Sequence, residues 1–236
     1  MSAIFVAGTD TGVGKTVVTG LLARSLALRG YRVATQKWVQ TGGASDLDAH
    51  LRWMGRSRSE FRGFLRAMVP VALAAPVSPH LAAELGGARI TACRIRRAFL
   101  RLSQHFDFVI VEGTGGLMVP FSRKRLLVDL AQELDLPVLL VAGNRLGAIN
   151  HTLLSLEALK ARKMKLLGVV FNNFAGAGNA RVLRDNPKVI ESLSGQRALG
   201  ALPRTRRPGT LIKRFAPIAE KVLAAYERLD HKRPEA

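Results

Sequence analysis

The stretch GTDTGVGKT, residues 8–16, decides how this chain is read. It follows the apolar run Ile4-Phe5-Val6-Ala7 and precedes a run of helix formers, which is the setting of a strand–turn–helix unit. A glycine-rich turn in that setting points successive backbone N–H groups inward and aims the positive end of a helix at an anion. Lys15 adds a mobile cation suited to the β- and γ-phosphates of a nucleotide, and the Thr16 hydroxyl can ligate Mg²⁺. The spacing departs from the usual phosphate loop, G-x-x-x-x-G-K-[ST]. Counting back from Gly14-Lys15-Thr16, the first glycine belongs at position 9, which is Thr9, and Gly8 stands one residue early. With Gly12 and Gly14 kept in place, the segment reads as a variant anion-binding loop rather than an ordinary β-turn-α junction.

Working outward, apolar runs alternate with longer amphipathic stretches, the pattern of β-α units around a parallel sheet. The pattern predicts a helix over 15–29 closed by Gly30, a strand over 31–35, a helix over 91–105 and the apolar strand 108–111. It continues with a short helix at 126–134, a strand at 137–142, a helix at 148–162 and a strand at 166–171. A weaker strand near 198–202 and a helix from about 211 to 229 follow. The expected fold is a single-domain three-layer α/β/α structure with a mostly parallel sheet, similar to P-loop NTPases, over residues 1–230, with 231–236 as a frayed tail. Pro70, Pro76 and Pro79 break residues 40–90 into what reads as loops. In open sheets of this kind ligands gather at the carboxyl ends of the strands, which groups 8–16, 36–46, 112–120, 143–150 and 172–175 around one crevice.

Within that crevice Glu112 ends the strand 108–111 and is followed by Gly113-Thr114-Gly115-Gly116. A carboxylate there can reach a metal beside the phosphate loop, and the glycines allow close backbone approach to an anion. Asp46 or Asp48 could supply another oxygen. Alone, either reads as a helix N-cap or first-turn acid.

The bulk numbers exclude several classes. A 236-residue chain with 48% hydrophobic and 6% aromatic residues is long and apolar enough for one sizeable core. No apolar run approaches the about 20 residues of a membrane span, and the first residues lack the basic region of a signal peptide. Cys93 is the single cysteine, so no disulfide forms within the chain. A cytoplasmic protein is expected. The 36 Lys and Arg against 17 Asp and Glu leave a net charge of +19. The arginines fall in scattered groups: Arg52, Arg56, Arg58, Arg62 and Arg66 at helical spacing, then Arg94, Arg96, Arg97 and Arg101, then Arg204, Arg206 and Arg207. They are not interleaved with the aromatics that single-strand binders stack on bases. The charge reads as a solvated basic surface that helps draw in anionic small molecules, with no nucleic-acid partner expected.

Taken in order, the motifs resemble those of the dethiobiotin synthetases. They are GTDTGVGKT at 8–16, QKWVQTGG at 36–43, SD at 45–46, APVSPH at 75–80, VEGTGG at 111–116, LPVLLVAGNRLGAINHTLLS at 136–155, GVVFNN at 168–173 and GALP at 200–203. The loop is common to many ATPases, whereas RLGAINHTLL after PVLLVAG is far more discriminating. The resemblance implies an ATP- and Mg²⁺-dependent enzyme that closes the ureido ring of dethiobiotin from 7,8-diaminopelargonic acid and CO₂, releasing ADP and phosphate. It implies Lys15 and Lys37 as catalytic cations, and Thr16, Asp46 and Glu112 as the holders of Mg²⁺. Gly12, Val13, Gly14, Lys15, Thr16 and Val17, with Gly113, Thr114 and Gly115, would surround the phosphates. Asn172 and Asn173 would face the adenine, with Pro203, Arg204 and Thr205 on its other side. Thr41 would hydrogen-bond the diamine, and Gly115 and Gly116 would lie along the carbamate. Gly147, Ala148, Ile149 and Asn150 would receive the substrate's tail carboxylate across the interface of a homodimer. On the residues alone, Asn150 reads as an N-cap.

Two positions depart from that family's pattern. Trp38 stands where proline usually follows the active-site lysine, so the Lys37 loop is expected to take a different path, with a bulky wall to the pocket. Asn173 replaces a frequent aspartate, which puts strict preference for ATP in question, because an amide can donate or accept. Two other readings compete. A related ATP-dependent amide-forming synthetase generally carries a nucleophilic cysteine domain, and Cys93 lies in an arginine-rich helix instead. A ParA-type DNA-associated ATPase would use the +19 charge, but its relatives carry lysine at the position of Asp10.

Overall fold

The first apolar run is buried on both faces, as a strand covered by helices on each side must be: Ile4, Phe5, Val6 and Ala7 are almost wholly enclosed. A computed structural model of the chain describes residues 2–43, 45–173, 179–205 and 207–230. In chain order the elements are β1 (Ser2–Gly8), α1 (Lys15–Ala27), β2 (Val33–Lys37), β3 (Val39–Thr41), α2 (Asp46–Met54), α3 (Leu65–Met68) and β4 (Val71–Leu73). Then come α4 (Pro79–Leu85), α5 (Ala92–Ser103), β5 (Phe108–Glu112), β6 (Pro120–Ser122), β7 (Arg125–Leu126), α6 (Leu127–Glu133) and β8 (Val138–Gly143). The chain ends with α7 (Ala148–Ala161), β9 (Leu166–Asn172), α8 (Ala180–Ser194), β10 (Ala198–Leu202) and α9 (Pro208–Asp230).

Six strands form one sheet in the order β10-β9-β8-β1-β5-β2, every pair parallel. Right-handed crossovers dictate the layers. The chain moves one way across the sheet from β1 to β2, and the other way from β2 to β5 and from β8 through β9 to β10. α1 therefore covers one face, and α5, α7 and α8 the other. α9 returns to the first face, where it packs against α1. Register then aligns the strand ends that matter: Lys37 and Val6 both pair with Glu112, and Gly143 pairs with Asn172.

The expected strands and helices of the sheet are present, with ends moved by a few residues. The middle is not the run of loops that its prolines suggest. β3 and β4 pair in parallel, and Pro79 opens α4 at a position where a missing N–H costs nothing. The arginines from 52 to 66 do not share one helix, because Gly55 closes α2 in a left-handed conformation. α8 was not anticipated, since Pro187 lies inside it. The expected frayed tail, 231–236, and part of the crevice segment 172–175 lie outside the described residues.

Trp38 forms no wall to a pocket. It is wholly buried, with its ring 5.1 Å from that of Phe5. Its indole N–H donates to Gln36 Oε1 at 2.9 Å, and Gln36 Nε2 donates to Ala67 O at 2.8 Å. The bulky residue beside Lys37 is thus a core anchor with its one polar atom satisfied.

Candidate active site

The carboxyl ends of β1, β2 and β5 bring two lysines and two carboxylates together. Lys15, the first residue of α1, folds back over its own loop, and its Nζ donates to Gly115 O at 2.6 Å and Asp10 O at 3.0 Å. The same fold-back explains the early glycine. A Cβ on Gly8 would stand 2.8 Å from Lys15 Nζ and 3.0 Å from both Lys15 Cδ and Asp10 O. Gly8 therefore makes room for the lysine rather than for a turn. Gly14, at φ 100°, supplies the left-handed turn into α1, and its bare Cα leaves space for the Asn172 amide, which a Cβ would meet at 2.3 Å.

Lys37 ends β2, buried beside the pair it serves. Its Nζ is 2.7 Å from Glu112 Oε1, 2.9 Å from Asp46 Oδ2 and 3.0 Å from Gly113 O. Thr16 Oγ1 donates to the same Glu112 Oε1 at 3.0 Å. Burial works against the Lys37 charge, but Glu112 and Asp46 outweigh it and hold its pKa above the ordinary lysine value. Burial likewise works against the Glu112 carboxylate, and Lys37 and His50 outweigh it, so Glu112 stays well below the usual carboxylate range. Among the described residues Lys15 has no such carboxylate partner within hydrogen-bond reach. Burial, then repulsion from Lys37, lowers its pKa to about 8.

His50 is the functional-site residue that the sequence reading missed. It is fully buried on α2, and its Nε2 lies 2.5 Å from Glu112 Oε2, so an ionised Glu112 requires that nitrogen to carry the proton. Its position four residues after Asp46 puts both on one helix face, which was the available signal. Ser45 caps α2 by accepting from Asp48 N at 3.2 Å, which leaves Asp46 free to face Lys37, while Asp48 pairs with Arg58.

Asp46, Glu112 and the Thr16 hydroxyl are an all-oxygen donor set, of the kind that suits Mg²⁺ with phosphate and water completing its shell. Among the described residues no group of three or more His, Cys, Asp or Glu side chains has metal-binding geometry. The set fits an ion held jointly with a nucleotide rather than one caged by protein alone.

The other predicted residues lie around this centre. Thr114 Oγ1 donates to Val39 O, fastening the segment after β5 to β3, at whose end Thr41 is half-buried. Gly116 continues that segment, and Val17 is half-buried on α1. Asn172 ends β9 and donates through Nδ2 to Val13 O at 3.0 Å, which joins β9 to the loop 8–16. Asn173 N–H donates to Leu202 O at 3.0 Å, at the end of β10, and Pro203, Arg204 and Thr205 follow directly. Gly147, not Asn150, is the N-cap of α7, with φ 86°. Ala148 is buried, Ile149 half-buried and Asn150 exposed on the first turn. Arg145 ties that turn to the phosphate-binding loop, with a guanidinium nitrogen 3.0 Å from Asp10 Oδ2.

Comparison with known proteins agrees with this architecture. Residues 2–208 match the family model described as AAA domain. Over 209 residues the chain is 38% identical to the ATP-dependent dethiobiotin synthetase of Thermodesulfovibrio yellowstonii, covering 84% of this chain and 87% of that protein. Over 201 residues it is 40% identical to the one from Chlorobaculum tepidum, covering 84% and 83%. Among solved structures, the cell division ATPase MinD of Pyrococcus furiosus aligns with a TM-score of 0.58 at 20% identity, over 95% of this chain and 99% of that one. The pNOB8 ParA bound to nonspecific DNA aligns at 0.58 and 13% identity, over 98% and 99%. At those identities the structural likeness bears on the fold alone.

Proposed function

The chain belongs to the ATP-dependent dethiobiotin synthetase family, and we propose that it closes the ureido ring of dethiobiotin from 7,8-diaminopelargonic acid, CO₂ and ATP. The observation that carries this reading is the meeting of two buried ammonium groups, Lys15 and Lys37, at one crevice lined by the carbonyls of Gly113 and Gly115. Such a site supplies positive charge and alignment, which is what phosphoryl transfer to a weak nucleophile demands.

One substrate amine adds to CO₂, losing a proton, and forms a carbamate. A carbamate oxygen then attacks the γ-phosphorus while the bond to ADP breaks. The second amine attacks the carbonyl carbon of the mixed anhydride, expels phosphate, loses a proton and closes the ring. Lys15 would bridge the transferring phosphoryl and the carbamate, and Lys37 would neutralise charge from the opposite side. Thr41 would orient the diamine. Thr16, Asp46 and Glu112 would hold Mg²⁺, which when bound neutralises phosphate charge. The glycines of the loop 8–16 would cradle the triphosphate, and Asn172 would read the base.

The tail carboxylate would lie at the start of α7, around Gly147–Asn150, in a site shared between two copies. Leu146 and Leu154 are exposed on either side of Asn150, an apolar surface that suits a second chain. A monomer by light scattering with full activity would remove the shared site from the proposal. The reaction itself is tested by phosphate release from Mg·ATP and bicarbonate with and without the diamine. Release that requires the diamine, with dethiobiotin seen by mass spectrometry, is the expected result. Release indifferent to the diamine would leave a nucleotide hydrolase and discard the biotin-pathway reading.

A further inference from the structure

His50 lies wholly buried at the centre of the site, yet no step of the reaction gives it a task. Its Nε2 meets Glu112 Oε2 at 2.5 Å, while the other oxygen of the same carboxylate, Oε1, takes Lys37 Nζ at 2.7 Å and the Thr16 hydroxyl at 3.0 Å. The two oxygens of Glu112 are therefore divided: one faces the crevice and the other is tied to α2. Among the described residues no partner meets His50 Nδ1. An apolar side chain would fill the same space without burying an unpaired nitrogen, which costs free energy. The imidazole is thus better accounted for by its bond at Nε2 than by packing. Helix packing serves the same contact. Gly20 of α1 faces α2 so closely that a Cβ there would stand 2.5 Å from Trp53 Cβ and 3.0 Å from His50 O. That close approach lets the ring reach the end of β5.

We infer that His50 is a positioning residue: it holds Glu112 so that a single oxygen, Oε1, faces Thr16 and Lys37, and it seats Asp46 beside them. The inference rests on the nucleotide and Mg²⁺ reading of this crevice. Mg²⁺ demands near-ideal octahedral geometry and takes only one or two carboxylates alongside phosphate and water. A Glu112 free to turn would offer either oxygen, or both, and would disturb its bonds to Thr16 and Lys37 as it turned. Tying Oε2 to α2 removes that freedom before any ligand arrives. Because His50 and Asp46 stand four residues apart on one face of α2, the same bond anchors the helix that carries the second carboxylate, whose Oδ2 is 2.9 Å from Lys37 Nζ.

Two variants separate positioning from packing. His50→Leu keeps most of the volume and removes the donor, whereas His50→Gln restores an N–H the same number of bonds from the main chain. Calorimetry measures the affinity of each, and of the parent, for a non-hydrolysable ATP analogue across a range of Mg²⁺ concentrations, with turnover and a thermal melt alongside. His50→Leu should raise the Mg²⁺ concentration at half-maximal binding by about 10- to 100-fold, the range for losing a residue that orients a metal-binding carboxylate, and leave KM for the diamine within about threefold. His50→Gln should return the Mg²⁺ requirement to within about threefold of the parent, because the donor is what matters. A merely structural role predicts that His50→Leu lowers Tm with its Mg²⁺ requirement unchanged, and that result would overturn the inference. Should the leucine variant not fold, nitrogen NMR of the parent imidazole decides: the hydrogen on Nε2 and its bond to Glu112 should persist when Mg²⁺ and the analogue bind, and their loss would overturn it. Analogue binding by the parent that ignores Mg²⁺ would instead remove the metal reading on which the inference rests.

Discussion

Replacing Gly8 with alanine tests whether the displaced glycine serves the lysine that lies across it. The added Cβ would stand 2.8 Å from Lys15 Nζ, about 0.6 Å inside the 3.4 Å at which ordinary contact begins, and 3.0 Å from the Asp10 carbonyl, which is backbone and cannot swing aside. Lys15 must yield. Its Nζ holds Gly115 O at 2.6 Å and Asp10 O at 3.0 Å, and a shift of that size away from Gly8 carries the longer bond past hydrogen-bonding range. Losing one hydrogen bond from a charged donor costs about 1.5–3 kcal/mol, roughly a 10- to 150-fold effect. Gly8 itself has no left-handed φ, so alanine adds no backbone strain. Chain stiffening in the unfolded state contributes about 0.4–1 kcal/mol in the opposite sense, which leaves a net loss of about 0.5–2.6 kcal/mol and a fall in Tm of about 1–10 °C. The assay is diamine-dependent phosphate release alongside a thermal melt. We expect kcat/KM to fall by about one to two orders of magnitude with the fold intact. A Gly8→Ala enzyme within threefold of the parent rate would refute the argument that this glycine accommodates Lys15.

Lys37→Ala should cost about 10²–10³ in turnover, the scale of removing one preorganised charge-stabilising donor, and near-parental turnover would remove Lys37 from the reaction. Trp38→Ala empties a wholly buried site and strips Gln36 Oε1 of its donor, so urea unfolding should show a loss of about 3–5 kcal/mol; a loss below about 1 kcal/mol would mean the indole is not an anchor. Lys15 has its folded pKa lowered to about 8, so the native state binds fewer protons than the unfolded chain between there and the ordinary 10.5, and its contribution makes stability rise with pH across that window. Nucleotide phosphates raise it again, so ATP binding near pH 8 should take up protons and weaken as pH climbs. Calorimetry in two buffers of different ionisation enthalpy would show this, and buffer-independent heats would contradict it.

The sheet was legible because its strands are buried on both faces and so read as unbroken apolar runs, such as 108–111 and 137–142. The loop 8–16 and Glu112 were legible for a related reason, since each sits at a strand end where chemistry concentrates, whereas Lys37 was legible only through the resemblance of QKWVQTGG at 36–43. What failed was whatever depends on packing rather than period. Pro187 hid α8, although Asn179, whose side chain accepts from Arg181 N and Val182 N, is a strong N-cap signal eight residues before it. Trp38 looked like a pocket wall because its sequence neighbour faces the site, yet alternation along the chain turns it into the core against Phe5. His50 left little trace, because its meaning lies in a contact between elements far apart in sequence: Glu112 is 62 residues from it.

The position of β1 in the middle of the sheet bears on how the protein is made. Its partners are β5 and β8, so Ser2 meets Phe108 and Phe5 meets Val138. The first strand of the sheet to be synthesised waits for residues more than a hundred positions later. At about 5–20 residues per second that is a delay of roughly 5 to 20 s in which the run Ile4–Ala7 has no ladder to join. Nonlocal pairing of this kind is slow to form and open to aggregation. Nascent chains halted before β5 should therefore engage chaperones through the β1 segment, and release them once the segment 108–112 has emerged.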